Sequence, residues 1–587
     1  MPTRIDDEVG ETIPAMTAHA VSVSLPTWRS NVGYEEGEEW VLSKLKTGYP
    51  RFFIHKQIQA FASAILEKFG SKGESAMLFP SHAGASRCVE FLHRQSPETN
   101  QVRILDLASN AEKETTDLKF ASPHVSAVLF PSTQFSIAKT FWQHSGEGVS
   151  SRRAEYCHEL LKEGLLAEKH TADTGQRLCK GPRRYRKSLS RSGSMQAIPL
   201  DGKDSTAFIE ERFGRNLEIK FAEQAKAAVR RRIAGSLTAD MALEDALAIK
   251  NNGVGGRHLP EFSEDDVYLY PCGMNAIFNT HRSLMAARGQ LKSVMYGFPY
   301  IDTLKILEKF GPGCIFYGHG SAEDLDDLEL RLSTGERILS LFCEFPGNPL
   351  LMSPDLRRIR DLADKYDFAV VVDETVGNFL NVNVLPYADI VVSSLTKIFS
   401  GDSNVMGGSA ILNPKARRYD QLKKTWSIEF EDNYWAEDAI FMERNSRDFV
   451  SRIDRINSSA EAICEVLQAH PRVKQVYYPK YSSTRPFYDQ CRTPNGRYGG
   501  LLSATFYDHA DAVAFFDNLA TAKGPSLGTN FTLSSPYVIL AHYNELDWAE
   551  SFGVERDLIR FSVGLEDTDE LVKTFNLALA AIPRSKN

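Results

Sequence analysis

The sequence predicts an α/β protein whose main body is a mostly parallel, doubly wound sheet, followed by a smaller C-terminal α/β domain. Three observations carry this. From about residue 260 short apolar runs (VYLYP, SVMYGFP, CIFYG, RILSLFCEF, FAVVVDE, DIVVSS) alternate with helical stretches, among them ones opening at Met274, Asp302 and Asp355. The runs are rich in β-branched residues and lack polar alternation, which marks strands buried on both faces under covering helices. After about residue 411 the order changes, and a long helical stretch over 434–468 leads to VKQVYYP, LLSATFYD and LIRFSVGLED.

Upstream of this body, AMLFP (76–80) and AVLFP (127–131) read as strands and HKQIQAFASAILEKFG (55–70) as a helix. KGPRRYRKSLSRSGSMQAIPLDGKDS (180–205) carries Lys180, Arg183, Arg184, Arg186, Lys187 and Arg191 with little to bury, and reads as a mobile basic loop. FAEQAKAAVRRRIAG is helical, and the Gly-rich NNGVGGRH that follows breaks the pattern. The expected division is an N-terminal arm with an extra folded segment over 1–105, an insertion over 106–235, the large sheet domain over 236–410 and the C-terminal domain over 411–587.

With 587 residues, 42% apolar and 25% charged, the chain has the composition of a folded globular protein of several domains. Its net charge of −8 is thinly spread, which argues against a nucleic-acid or anionic-membrane binder and for small-molecule partners. Eight scattered cysteines without a CxxC pair suggest a reducing, cytoplasmic setting. Neither a leader-like apolar stretch at the start nor an apolar run of membrane-spanning length is seen.

Two catalytic patterns match only superficially. Ser394-Leu395-Thr396-Lys397 fits S-x-x-K, but it follows a strand, and its K-T-G partner, Lys46-Thr47-Gly48, lies far upstream. Gly524-Pro525-Ser526-Leu527-Gly528 fits the hydrolase elbow, yet His542 follows with no acid in between. No Walker A loop, H-E-x-x-H or G-x-G-x-x-G occurs, and no metal site is expected.

A different constellation is consistent across the strand ends. Lys397 lies just past DIVVSS, beside the hydroxyls of Ser394 and Thr396, where an amine can bond covalently to a carbonyl cofactor and hydroxyls can accept its phosphate. Asp373 closes FAVVVDE and can keep a pyridinium nitrogen protonated. Asn348 in FCEFPGNP can bond a ring oxygen. Gly273-Met274 opens a helix whose first N–H groups suit phosphate, and Tyr300 can stack on a flat ring.

At these residues the chain resembles the Cys/Met-metabolism family of pyridoxal-phosphate enzymes, and within it the long fungal cystathionine gamma-synthases. The resemblance runs over about 260–580 through GMNAI, YIDT, FPGNPL, VVDET, SSLTK, GDSNVMGG, SLG and IRFSVGLED. It implies the type I, aspartate aminotransferase-like fold and pyridoxal 5'-phosphate as cofactor. Lys397 would be the Schiff-base lysine, Asp373 the pyridinium partner, Tyr300 the stacking ring and Asn348 the O3′ partner. Gly273, Met274, Ser394 and Thr396 would hold the phosphate, and Arg560 with Ser526 the substrate carboxylate. The activity implied is γ-replacement on an O-acyl-L-homoserine by L-cysteine, giving L-cystathionine, in a dimer-based tetramer. Two departures bear on this. The family's Tyr-x-Arg segment, which reaches a neighbouring subunit's phosphate, could be Tyr49-Pro50-Arg51, preceded by the family-like HAVSVSLPTW, or the stretch at Arg212, which lacks the Tyr. Pro525 stands where members acting at the γ carbon often have Glu. The alternatives are a C–S lyase, a γ-substitution enzyme with another nucleophile, or a regulatory pseudoenzyme.

Overall fold

The computed structural model describes residues 8–96, 101–109, 122–169, 219–235, 237, 239–248, 257 and 259–583. The basic loop near 180–205 and Arg212 lie outside the described residues.

The main sheet has seven strands in the order Val267–Tyr270, Gly408–Leu412, Ile390–Ser394, Ala369–Asp373, Ser340–Glu344, Ser293–Tyr296, Cys314–Tyr317. Pairing is parallel throughout the last five and antiparallel only on either side of Gly408–Leu412. Four of the five parallel runs are buried as expected, with Ala369–Val372 and Ile390–Val392 almost wholly enclosed, whereas the edge strand Cys314–Tyr317 is half-buried except at Tyr317. Gly408–Leu412, which the sequence reading did not single out as a strand, spans the expected boundary at 410/411, so that division falls inside the sheet. Register aligns the carboxyl ends: Glu344 sits opposite Asp373, Asp373 opposite Val392, and Ser394 opposite Gly408. That edge is where a ligand meets the sheet.

The C-terminal unit is a five-stranded, mainly antiparallel sheet ordered Val473–Tyr477, Leu501–Phe506, Ile559–Ser562, Leu533–Pro536, Ala522–Lys523. The helices Phe449–Ala469, His509–Asn518 and Thr568–Ala580 supply much of its core.

The N-terminal part departs most from the expected division. Residues 56–168 form one unit: a four-stranded antiparallel sheet ordered Glu74–Phe79, His124–Pro131, Arg103–Ser109, Leu166–Glu168, with the helices Lys56–Phe69, His82–Gln95, Phe135–Ser145 and Ser151–Lys162. The expected boundary at 105/106 cuts the strand Arg103–Ser109, which is hydrogen-bonded to a neighbour on each side. The physical reason lies in the alternation of a strand buried on both faces. Ala76, Leu78, Ala127 and Leu129 pack into a core of their own with Phe61, Ile65 and Leu160. Met77, Phe79, Val128 and Phe130 point the other way, into a core shared with Phe278, Phe310 and Phe342 of the large domain. The helix Ala222–Ile233 also lies before an expected boundary, at 235/236, yet Val229 and Ile233 pack into the main core and Arg232 pairs with Glu443 at 2.9 Å.

Candidate active site

Every residue assigned to cofactor or substrate from the sequence, except Arg212, lines a single cavity of about 230 Å³ at the carboxyl edge of the large sheet. Lys397 comes to it because the strand Ile390–Ser394 ends there and the chain turns before its antiparallel return. The side chain is buried, and its Nζ donates to Ser526 Oγ at 2.8 Å and Tyr49 Oη at 3.0 Å. Ser526 is held with φ at +98°, a conformation an L side chain rarely adopts. Its carbonyl accepts from Arg560 Nη2 at 2.5 Å while its hydroxyl faces Lys397, and these contacts hold the backbone there.

Arg560 is buried on the strand Ile559–Ser562. Its Nη1 donates to Asn348 Oδ1 at 3.0 Å, and its guanidinium lies 4.7 Å from the centre of the Tyr537 ring. Asn348 in turn donates to Tyr537 Oη at 3.1 Å. Among the described residues no carboxylate pairs with Arg560, and burial pulls its pKa down. A planar cation enclosed by neutral acceptors is a seat for an incoming carboxylate.

Asp373 sits at the end of its strand, its Oδ1 accepting from the Thr375 N–H at 2.9 Å. Burial pushes its carboxyl up, so a cation beside it would be strongly favoured. Thr375 also accepts from the Ser394 N–H at 2.8 Å, which links the two strand ends. Across the sheet edge, the helix Gly273–Arg288 starts against Ser394. A Cβ on Gly273 would lie 2.7 Å from that of Ser394, so only glycine allows the approach. The residue before the helix, Cys272, makes no side-chain capping bond, which leaves the first-turn N–H groups to an anion. Thr396 Oγ1 is engaged with the backbone of Gly407, donating to its carbonyl at 3.3 Å or accepting from its N–H at 3.1 Å. A phosphate cradle, an enclosed carboxylate for a pyridinium, a buried amine and an aromatic face at Tyr300 share this cavity, and they fit pyridoxal phosphate.

Tyr49 and Arg51, one of the two candidates for the Tyr-x-Arg segment, line the cavity of their own chain. The resemblance implied a crossing to a neighbouring subunit. In this chain the arm is bonded to both of its own larger domains: Val21 N donates to Ser403 O (2.8 Å) of the large domain, and Ser22 Oγ to Pro525 O (2.6 Å) and Leu25 N to Lys523 O (2.9 Å) of the C-terminal domain. Burial raises the Tyr49 phenol, but Lys397 and Arg51 outweigh it and hold it below its usual value. Tyr300 goes the other way: burial, then Tyr49 and Asp302, push its phenol well up.

Several residues of the site escaped sequence reasoning. Glu344, four residues before Asn348, is buried and accepts from the N–H groups of Tyr300 and of Asn348, the latter at 3.1 Å. Burial, then Asp373, pushes its carboxyl up to about 8. Its signal was its place beside Asp373 at the same strand edge. Tyr537 had no signal. Nor had Trp142, Gln143, Ser150, Ser151 and Arg152, which the N-terminal unit contributes to the cavity wall.

Residues 261–580 match the family described as Cys/Met metabolism PLP-dependent enzyme, and residues 57–150 match the fungal trans-sulfuration enzyme, N-terminal domain. A cystathionine gamma-synthase of Neurospora crassa is 55% identical, with 97% of this chain and 98% of that protein aligned. One of Saccharomyces cerevisiae is 39% identical over 98% of this chain and 99% of that protein. Among solved structures, a cystathionine gamma synthase of Xanthomonas oryzae pv. oryzae superposes with a TM-score of 0.48 at 21% identity, covering 61% of this chain and 98% of that one.

Proposed function

The chain belongs to the Cys/Met-metabolism family of PLP-dependent enzymes, and on that premise we propose that it joins L-cysteine to an O-acyl-L-homoserine by γ-replacement, giving L-cystathionine and the free carboxylic acid. The near full-length likeness to a cystathionine gamma-synthase supports the reaction. The observation that carries the chemistry is the buried Lys397 amine between Ser526 and Tyr49, with Arg560 bonded to the Ser526 carbonyl beyond it.

Pyridoxal phosphate, when bound, supplies an electron sink that stabilises negative charge on the substrate's carbon chain. Asp373 would hold the proton on the ring nitrogen and Asn348 would bond the ring oxygen. The N–H groups at Gly273 and Met274, with Ser394 and Thr396, would hold the phosphate, joined by Arg51. Arg560 takes the substrate α-carboxylate in a two-pronged contact and Ser526 orients it, which sets Cα beside Lys397 Nζ. The Tyr49 phenol, held below its usual value by Lys397 and Arg51 and 3.0 Å from Nζ, can exchange a proton with that amine, the general base of the reaction. Lys397 then moves protons between neighbouring carbons of the substrate. The carboxylate leaves from Cγ, and the cysteine sulfur forms its bond there. The elevated Tyr300 phenol stays protonated and keeps a neutral stacking face.

The enzyme is further proposed to work in the cytoplasm as a dimer-based tetramer. Seven cysteines of the described residues are free thiols, as suits a reducing compartment. Pro525 favours keeping a C–S lyase as the second reading, because a carboxylate that members acting at the γ carbon often carry is replaced there by a ring. Mass spectrometry of products from O-acetyl- and O-succinyl-homoserine, with and without cysteine, separates the two. Cystathionine only when cysteine is present supports γ-replacement, and a 2-oxo acid with ammonia in both cases overturns it. The Lys397→Ala variant is expected to lose the visible absorption of bound cofactor together with turnover.

A further inference from the structure

The loop that leaves the helix Phe135–Ser145 of the N-terminal unit runs onto the first turn of the helix Gly273–Arg288. Gly146 ends the first of these helices in the left-handed conformation, φ +63°, with its N–H donating to Trp142 O at 3.2 Å. A Cβ there would lie 2.7 Å from the backbone nitrogen of Asn275, 2.7 Å from Cys272 Sγ and 2.9 Å from Met274 Cβ, so loop and helix meet with no room for a side chain. Asn275, buried in the first turn, donates through Nδ2 to Ser145 O at 3.2 Å, and Cys272 Sγ lies 3.6 Å from Gly146 O. The same turn abuts the sheet, where a Cβ on Gly273 would lie 2.7 Å from that of Ser394 and a Cβ on Gly408 would lie 2.8 Å from Gly273 N. The loop is itself fixed within its unit. The buried Glu147 accepts from Arg87 Nε at 2.9 Å and Nη2 at 2.5 Å, and Val149 N donates to Leu78 O at 3.2 Å. Gly146, Gly148, Gly273 and Met274 all border the cavity.

We infer that Gly146 and Asn275 are positioning residues for the helix start that receives the cofactor's phosphate, which makes the N-terminal unit a support of that seat. This rests on the reading of Gly273 and Met274 as phosphate-binding. The first N–H groups of a helix have no partner inside it, and a terminal turn frays unless something holds it. Cys272 makes no side-chain capping bond, so the direction of these N–H groups is set by what packs against the turn. The sheet supplies one such surface at Ser394 and Gly408, and the loop at Ser145 and Gly146 supplies another. Donors aimed in advance spare an anion the entropy of ordering them when it binds.

The test is reconstitution of apoenzyme, comparing pyridoxal phosphate with pyridoxal, which lacks the phosphate. Asn275→Ala is expected to raise the Kd for pyridoxal phosphate by roughly 5- to 100-fold, the range for a buried partner left unpaired. Gly146→Ala, which pushes the turn aside, should raise it at least as much. Pyridoxal binding should be unchanged in both. Gly164→Ala is the control, because Gly164 is also left-handed, φ +68°, and in the same unit, but nothing lies within 4 Å of a Cβ built there. It imposes the same backbone strain away from the helix, so it should lower Tm and leave both affinities at the parental values. Equal losses for the two ligands, a Gly164→Ala loss matching that of Gly146→Ala, or parental affinity in both Gly146→Ala and Asn275→Ala would overturn the inference. A parent protein that binds no pyridoxal phosphate, or binds it no better than pyridoxal, would instead overturn the functional reading beneath it. If Gly146→Ala does not fold, Asn275→Ala carries the same comparison.

Discussion

Arg560→Lys tests the substrate seat most directly. The guanidinium spends Nη1 on Asn348 (3.0 Å) and Nη2 on Ser526 O (2.5 Å), and lies 4.7 Å from the Tyr537 ring centre. Lysine keeps the charge but has a single nitrogen, so it cannot serve both protein acceptors and also grip a carboxylate with two parallel bonds. Loss of one charge-assisted bond to substrate is worth ~1.5–3 kcal/mol, or about 10- to 150-fold in kcat/KM. Since the contact is made to the α-carboxylate before and during the reaction, most of the loss should appear in KM for the acyl-homoserine. Steady-state kinetics of cystathionine formation reads this, with the visible absorption of bound cofactor as the control that the site is assembled. A variant with parental KM, or one whose loss is the same for substrate and for its α-carboxyl methyl ester, would refute the assignment of Arg560.

Three further outcomes follow from the same geometry. Glu344, raised to about 8 in the fold from an ordinary value of 4.5, contributes stability below about 4.5 that is lost as pH rises through about 8. The Tm of Glu344→Gln relative to the parent should therefore climb across that window and level off above it, and a difference flat with pH would contradict the buried carboxyl. Phe141 lies between the N-terminal unit and the large domain, 6.3 Å from Phe278 and 5.9 Å from Phe310, and is almost wholly buried. Phe141→Ala should cost ~3–5 kcal/mol, seen as one earlier cooperative transition in denaturant; an early transition of the N-terminal unit alone would show that the shared core does not couple them. Because Tyr49 and Arg51 enter their own chain's cavity, co-expressed Lys397→Ala and Arg51→Ala subunits should give no activity beyond the sum of the two variants; recovered activity would show that the arm crosses between subunits.

The large domain was legible in advance because its signals are local and repeated. A strand buried on both faces must be apolar along its whole length, and chemistry placed at its carboxyl end must appear just after the run, as Asp373 and Lys397 do. The family motifs add specificity at the same positions. The strand Gly408–Leu412 was harder to see, since its glycine and serine are small for packing: Gly408 carries no Cβ because the Cys272 carbonyl would lie 2.2 Å from it. Tyr537 and Glu344 escaped notice because a buried hydroxyl or carboxyl has no local sequence signature, and its partner is what gives it meaning.

By itself, then, the sequence determined the α/β class, the strands of the large domain other than Gly408–Leu412, the family and the residues that meet at the sheet edge. These follow from hydrophobic pattern and from residue types spaced along single elements. The tertiary structure decided what depends on contacts between distant segments. The sheet of residues 74–168 is one unit because its two faces feed two different cores. The arm stands in its own cavity because residues 21–25 bond to the chain near 403 and 523–525. Gly146, which carries no local signal of a role at the cofactor, gains one because folding brings it against Cys272, Met274 and Asn275 at the start of a helix, where no side chain would fit.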